Sequence, residues 1–83
     1  MSKLIALDHP IEVAGQPIAF LKMRVPRVDD LLKAYPRRKH DDAGSVRLLA
    51  LLCDVSPAAI RSLAEVDLNK VALAYAKLSG KVP

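Results

Sequence analysis

The spacing of the hydrophobic residues changes at Pro26, and this change limits the folds open to the chain. Before it, residues 18–25 alternate with a period of two, which is typical of a strand with one buried face. The wholly apolar face of that strand consists of Ala19, Leu21, Met23 and Val25. After it, apolar residues recur at helical spacing. The sequence therefore predicts an α+β fold: an N-terminal antiparallel β-hairpin over residues 3–25, with about four short helices over residues 28–80 packed on it.

The hairpin is expected to turn at residues 14–17, which include a glycine and a proline. Pairing across such a turn would place Val13 near Ile18. In the first strand, Pro10 has no backbone N–H to donate to a ladder, so we expect it to bend the strand or to lie on an open edge.

Boundary residues divide the second half into helices. We expect helices over residues 28–35, 46–53, 57–63 and 68–78. Ser45, Ser56 and Asp67 are the expected N-caps of the last three, because their side-chain oxygens can accept from the first unpaired N–H groups. Asp30 lies in the first turn of the first helix, where the helix dipole favours negative charge. Gly80 suits the left-handed residue that ends the last helix.

Length and composition exclude several classes of protein. A chain of 83 residues is expected to form one domain, residues 1–83. A domain this small buries only about 60% of its unfolded surface, so association with itself or with a partner would add stability. Aromatic residues make up 4% of the chain, so we expect an aliphatic core. No apolar run is long enough to span a membrane, and residues 4–7 are too short for a signal peptide, so the expected location is the cytoplasm.

The sequence contains no convincing catalytic or metal-binding set. Cys53 has no neighbouring histidine and ends an apolar helix, so a buried, inert thiol is expected. His9 and His40 are expected on the surface. With one Cys and two His, a closed zinc site would need a carboxylate ligand. We therefore predict a protein that is not an enzyme and that uses no cofactor and no metal.

One basic patch is concentrated enough to consider as a binding site. It consists of Arg37, Arg38 and Lys39, in a chain of net charge +4. Such a patch can bind phosphate or an acidic protein surface. Asp41 and Asp42 follow directly and cancel much of its field, so a solvated loop is the favoured interpretation.

A second set of residues has the spacing of a helix-turn-helix. These residues are Ala50, Val55, Ile60 and Leu63. A small DNA-binding regulator is therefore an alternative function. Against it, Asp54 occupies the turn position where glycine is usual, and only Arg61 and Ser62 of the second helix could contact base edges. The same spacing arises in any tight helical hairpin, so we do not expect nucleic-acid binding.

Short motifs extend along nearly the whole chain, from residue 4 to residue 78. In the first half they are residues 7–11 (LDHPI), Gly15, residues 18–26 (IAFLKMRVP) and Asp29 or Asp30. In the second half they are residues 48–50, 55–56, Ile60, Leu63, residues 67–68 and Val71. In this pattern the chain resembles the phage tail assembly chaperones of Mu-like and related contractile-tailed phages.

The resemblance implies a function that needs no chemistry. Proteins of this family are thought to bind the long tape-measure protein and to keep it soluble while tail-tube subunits polymerise around it. The implied partners are therefore the tape-measure protein and the tail-tube protein. The implied location is the host cytoplasm, with the protein absent from the mature virion. A DNA-binding regulator of phage origin stays the alternative, and its binding would weaken steeply as salt rises.

A chaperone of this kind needs apolar surface that a helical client can cover. The leucine-rich helix at residues 46–53 and the last helix are the candidates for lining such a groove. The candidate partner-binding residues are Leu48, Leu51, Leu52, Leu68, Val71 and Tyr75. The alternative is that these side chains only fill the core.

Overall fold

The computed structural model describes residues 2–36 and 41–80. The elements in chain order are β1 (Ser2–Val13), β2 (Gln16–Arg24), α1 (Val28–Ala34), α2 (Asp42–Cys53), α3 (Pro57–Arg61) and α4 (Glu65–Leu78). β1 and β2 form an antiparallel two-stranded sheet. α4 packs mainly against β1 and α2 against β2, while α1 and α3 pack against α2. This confirms the predicted α+β fold, a hairpin followed by helices.

One face of the hairpin and the inner sides of the helices enclose an aliphatic core. Its most deeply buried apolar side chains are Met23, Leu52 and Val71. Leu21 and Met23 from the predicted apolar face of β2 are buried. The other two members of that face are not: Ala19 is exposed, and Val25, which follows the end of β2, is 38% exposed. The alternation therefore predicts the buried face only within the regular part of the strand.

The hairpin turn takes two residues, and this sets a different register from the one expected. Ala14 and Gly15 both have positive φ, 51° and 79°, as in the type I′ turns that match the twist of paired strands. Val13 consequently pairs with Gln16, and Ile18 pairs with Ile11. The predicted pairing of Val13 with Ile18 is wrong, because it assumed a four-residue turn.

β1 carries a bulge at residues 7–10. Regular pairing ends at Ala6–Phe20 and resumes at Ile11–Ile18, so residues 7–10 face a single residue of β2. Pro10 lies inside the bulge, where its missing N–H interrupts no ladder hydrogen bond. The bulge leaves backbone N–H groups that β2 cannot pair, and buried N–H groups need an acceptor elsewhere.

The carboxylate of Asp67, on α4, supplies that acceptor. Asp67 Oδ1 accepts from the backbone N–H of Asp8 at 2.7 Å, and Oδ2 accepts from the backbone N–H of His9 at 2.9 Å. Lys70, one turn further along α4, donates from Nζ to Asp8 Oδ1 at 2.6 Å and to the carbonyl oxygen of Ala6 at 3.1 Å. These contacts fix α4 on β1.

Asp67 is therefore not the N-cap that the sequence suggested. α4 begins at Glu65, its N-cap is Ala64, and Asp67 lies in the first turn with its side chain fully buried against the bulge. Burial raises the pKa of the Asp67 carboxyl, but the two backbone donors and Lys70 outweigh burial, so the pKa lies below its usual value. The carboxylate thus stays charged in the folded protein at neutral pH.

A second buried carboxylate, Asp30, ties the end of β2 to α1. Its two oxygens accept from the guanidinium of Arg24 in a bidentate pair, with both N···O distances at 2.6 Å. Asp30 Oδ2 also accepts from the backbone N–H of Arg27 at 2.9 Å. Arg24 is the largest cause that lowers the pKa of Asp30 to about 2. The contact sets the direction of the chain across Pro26.

α2 begins earlier than predicted. Its N-cap is Asp41, whose Oδ1 accepts from the backbone N–H of Gly44 at 2.6 Å. Ser45 lies inside the helix, with its Oγ 3.0 Å from Oη of Tyr35. Gly44, three residues after the cap, lets α2 pass close to the ring of Tyr35.

Gly44→Ala is expected to destabilise the protein. An added Cβ would lie 2.5 Å from Cδ1 of Tyr35, far inside van der Waals contact. The overpacking should lower the free energy of unfolding by about 1–3 kcal/mol, outweighing the ~1 kcal/mol that alanine gains over glycine in a helix. Urea unfolding measures this. In a Tyr35→Ala background, which removes Cδ1 and Cε1, the same substitution should lose most of its effect, and a stabilised Gly44→Ala single variant would contradict the contact.

Asp67→Asn is expected to destabilise the fold even though it keeps the size of the side chain. The amide NH₂ would face a backbone N–H of the bulge, which would leave that donor without an acceptor. The urea midpoint should fall clearly relative to Glu65→Gln, a matched substitution at an exposed position in the same helical turn. Equal midpoints for the two variants would show that the Asp67 contacts do not hold the fold.

Acid should weaken the protein through Asp30. The pKa of Asp30 is about 2 in the folded protein, against 3.8 for an unperturbed aspartate. The unfolded chain therefore binds the proton first as pH falls. The stability that Asp30 adds is complete above pH 3.8 and is lost as pH approaches 2. Thermal melts of the protein and of Asp30→Asn should therefore differ near neutral pH and converge in this window. A difference that stays constant down to the acid end would be evidence against the ion pair.

Candidate partner-binding site

A pocket of about 270 Å³ lies where α1, α2 and α4 meet. Leu31 and Tyr35 line it from the α1 side, Leu48 and Leu49 from α2, and Ala72 and Tyr75 from α4. The walls are mostly aliphatic and aromatic carbon, with Ser45 at one edge. We call this the helical pocket. Its chemistry suits an apolar side chain and offers no set of groups for catalysis.

Polar contacts fix the positions of the helices that form the helical pocket. On one side, Arg47 joins α2 to the end of α1 by donating from Nε and Nη2 to the carbonyl oxygen of Ala34, at 3.1 Å and 2.8 Å. On the other side, α4 is fixed to β1 through Asp67 and Lys70. Because α4 packs mainly on the sheet and not on α2, a gap stays open between the helices.

The sides of α4 have different environments. Val71 and Ala74 are buried against the sheet and core. Leu68, Ala72 and Tyr75 follow one another at i, i+4 and i+7 on the flank that faces the helical pocket. Leu68 is 38% exposed and Tyr75 is half-buried. This flank therefore extends the apolar surface beyond the pocket itself.

The structure brings together some of the predicted partner-binding residues and separates others. Leu48 and Tyr75 line the same pocket, and Leu68 lies on the adjoining flank of α4. Leu52 and Val71 are fully buried in the core, where a partner does not reach them in this conformation. Leu51 is half-buried on another side of α2, beside Asp54 and Val55. The role of all six predicted residues in partner binding stays a prediction. Of the predicted basic patch, Arg37, Arg38 and Lys39 lie outside the described residues.

The sequence reasoning missed two walls of the helical pocket. Leu31 and Tyr35 are one helical turn apart, so they present the same side of the first helix and its end. That spacing was visible in the sequence. What the spacing does not show is which element the apolar side faces, and this depends on the packing of α1 against α2.

The other chemical candidates have structural roles or exposed positions. Cys53 is buried as predicted, and burial raises the pKa of its thiol to about 11, so the reactive thiolate is scarce at neutral pH. His9 is exposed, and its backbone N–H, not its ring, makes the contact with Asp67. Residues 2–36 and 41–80 contain no group of three or more His, Cys, Asp and Glu side chains that could hold a metal ion. Among these same residues no helix has the length and hydropathy of a membrane span.

The segment with helix-turn-helix spacing forms a tight helical hairpin. Asp54 takes the left-handed conformation at the end of α2, with φ 56° and ψ 46°, and the N–H of Val55 donates to the carbonyl oxygen of Ala50 at 3.0 Å. α3 is only five residues long, and Ser62 uses its Oγ to donate to the carbonyl oxygen of Ala59 at 2.7 Å. The local packing thus accounts for the spacing, and the short helix offers little surface for reading a DNA groove.

The comparison with known families covers all of these elements. Residues 4–80 match the model of a family described as phage tail assembly chaperone proteins, E, or 41 or 14. Searches of curated proteins and of solved structures gave no significant match. The matched segment includes the bulge of β1, the Arg24–Asp30 pair and every wall of the helical pocket. The chain belongs to the phage tail assembly chaperone family.

Proposed function

We propose that this protein binds the tape-measure protein in the host cytoplasm, keeps it soluble, and helps to recruit tail-tube subunits around it. The proposed action is binding without catalysis. Membership of the tail assembly chaperone family supports a role with protein partners in tail assembly. That these partners are the tape-measure protein and the tail-tube protein is what we propose.

The helical pocket is the observation that carries this proposal. It is an open, mostly apolar depression between helices that pack on different parts of the sheet. Amphipathic client helices are commonly bound by laying apolar side chains into such a depression. Half-buried Tyr75 would contact the client inside the pocket above buried Leu48, and Leu68 would contact it along the flank of α4. Burial of apolar surface supplies the binding free energy.

Co-expression of the tagged chain with the tape-measure protein of the same phage locus tests the proposal. We expect more soluble tape-measure protein and co-purification at both low and high salt, because salt screens charge contacts but does not weaken apolar burial. Absence of the complex at both salts would overturn the proposal. A complex with nucleic acid that forms only at low salt would favour the DNA-binding alternative instead.

Ala72→Glu tests whether the client occupies the helical pocket. Ala72 is exposed in the free protein, so the fold should tolerate the change, but a bound client would have to desolvate the new carboxylate. We expect recovery of the tape-measure protein to fall ~10-fold or more, equivalent to about 1.4 kcal/mol.

Asn69→Glu is the matched control for this variant. Asn69 is exposed on α4 but does not line the helical pocket, and the substitution also introduces a glutamate. It should leave recovery unchanged. Thermal melts of both variants check that they fold. Equal losses in the two variants, or no loss in either, would place the client elsewhere.

A further inference from the structure

A second apolar depression lies on the opposite flank of α4, against β1. Leu4, Ala6 and Leu73 provide its apolar surface, and Lys3, Lys70 and Lys77 surround it. Its volume is about 320 Å³. We call it the outer groove. We propose that the outer groove binds an acidic segment of a partner protein that also carries apolar side chains. This goes beyond the proposed function, because it does not depend on the client of the helical pocket.

The strand register explains why the surface of the outer groove is uncovered. Ile5 points to the core and is buried, so its neighbour Leu4 points to the other face of the sheet. Leu4 is 64% exposed, and Leu73 on α4 is 50% exposed. Phe20 pairs with Ala6 across the strands and is 57% exposed, so the apolar area continues over β2.

Exposed apolar side chains that lie next to one another and are surrounded by polar residues often mark a site where another protein binds. A sheet of two strands can bury one face against the helices of this small domain, and the inner face carries the core. Throughout residues 2–36 and 41–80, no element covers Leu4, Phe20 or Leu73 well enough to bury them. A partner would complete the missing layer.

The charge around the outer groove defines the chemistry of that partner. Lys70 is paired with Asp8, while Lys3 and Lys77 form no ion pair with any residue in the described part of the chain. Lys22 stands opposite Leu4 on the neighbouring strand and adds a further positive charge to the same face. The surface therefore combines leucine side chains with uncompensated lysine charge.

This combination favours one occupant over the others. A second copy of the chain would bring the same lysines together, and like charges across an interface oppose binding. Nucleic acid would not contact Leu4 and Leu73 productively, because bases stack on aromatic rings and guanidinium planes, and the exposed ring of Phe20 lies on the neighbouring strand and does not line the groove. An acidic segment with apolar side chains matches both features, with carboxylates beside the lysines and apolar groups on Leu4 and Leu73.

Heteronuclear NMR of the isotope-labelled full chain tests the proposal with two synthetic peptides. The first is an amphipathic peptide with leucines along one side and glutamates beside them, and the second has lysine in place of every glutamate. We expect the acidic peptide to shift resonances of residues 3–6 and of Leu73 and Lys77, which line the outer groove, and the basic peptide to shift none of them. Equal responses to both peptides, or shifts confined to the surroundings of Leu48 and Tyr75, would overturn the proposal.

A pair of charge reversals sharpens the test. Lys77 and Lys33 each lie in the last turn of a helix, so Lys77→Glu and Lys33→Glu disturb similar helix-end interactions. Only Lys77 lines the outer groove. Lys77→Glu should weaken binding of the acidic peptide ~10-fold, and Lys33→Glu should not change it. The same loss in both variants would indicate a general charge effect and contradict a localised site.

Vesicles separate the proposed partner from an anionic membrane. Phosphatidylglycerol vesicles should not compete with the acidic peptide, whereas binding to the vesicles without binding to the peptide would overturn the proposal in favour of a lipid surface. Recovery of the tape-measure protein by the Ala72→Glu and Lys77→Glu variants keeps the two proposals distinct. Failure of the outer groove leaves the effect of Ala72→Glu intact, and failure of the helical pocket leaves the peptide shifts intact.

Discussion

The position of α4 on the sheet depends on one contact, the carboxylate of Asp67 against the bulge of β1. Neither half of this contact is stable alone. The bulge presents N–H groups of Asp8 and His9 that β2 cannot pair, and a buried carboxylate needs donors for both oxygens. When the two N–H groups donate to the Asp67 carboxylate, the donors and the carboxylate oxygens are all paired, and the rotation of α4 is set. That rotation places Val71 and Ala74 on the core side and leaves two flanks of α4 open on either side of the sheet contact.

Local features were predictable from the sequence, and contacts between distant segments were not. Ser56 caps α3 as expected, with Oγ accepting from the N–H of Ala59 at 3.2 Å, and Gly80 takes a positive φ of 77° after α4. Both follow from residues a few positions apart. Asp67 was assigned to a cap because an aspartate before an apolar helical run is typical of caps. Its actual donors lie 59 and 58 residues away, so local pattern carries no trace of them.

In the candidate site, too, local sequence pattern predicted the helices but not which of their side chains are exposed. Helical spacing identified α2 and α4 as apolar helices, and Leu48 and Tyr75 do line a common pocket. Spacing could not separate half-buried Tyr75 from Leu48, Leu52 and Val71, which follow the same pattern and are buried, nor show that Leu48 lines the pocket and the other two do not. A small domain uses one helix for core and for outer surface, so the assignment of each residue depends on the rotation of its own helix, which Asp67 sets for α4. The alternation in β2 already placed Phe20 opposite the predicted core face, and it is exposed. Leu4 lies in the continuous apolar run of residues 4–7, where alternation assigns no face, so its exposure follows only from the strand register.

The helical pocket also determines what can be seen spectroscopically. The chain contains no tryptophan and two tyrosines, and both tyrosines, Tyr35 and Tyr75, line this pocket. All of the tyrosine fluorescence of the protein therefore originates from the walls of one depression. A client that brings a tryptophan near these rings would accept energy from them, and its arrival would quench the tyrosine emission and raise its own. The protein thus carries an intrinsic optical reporter of pocket occupancy that requires no label.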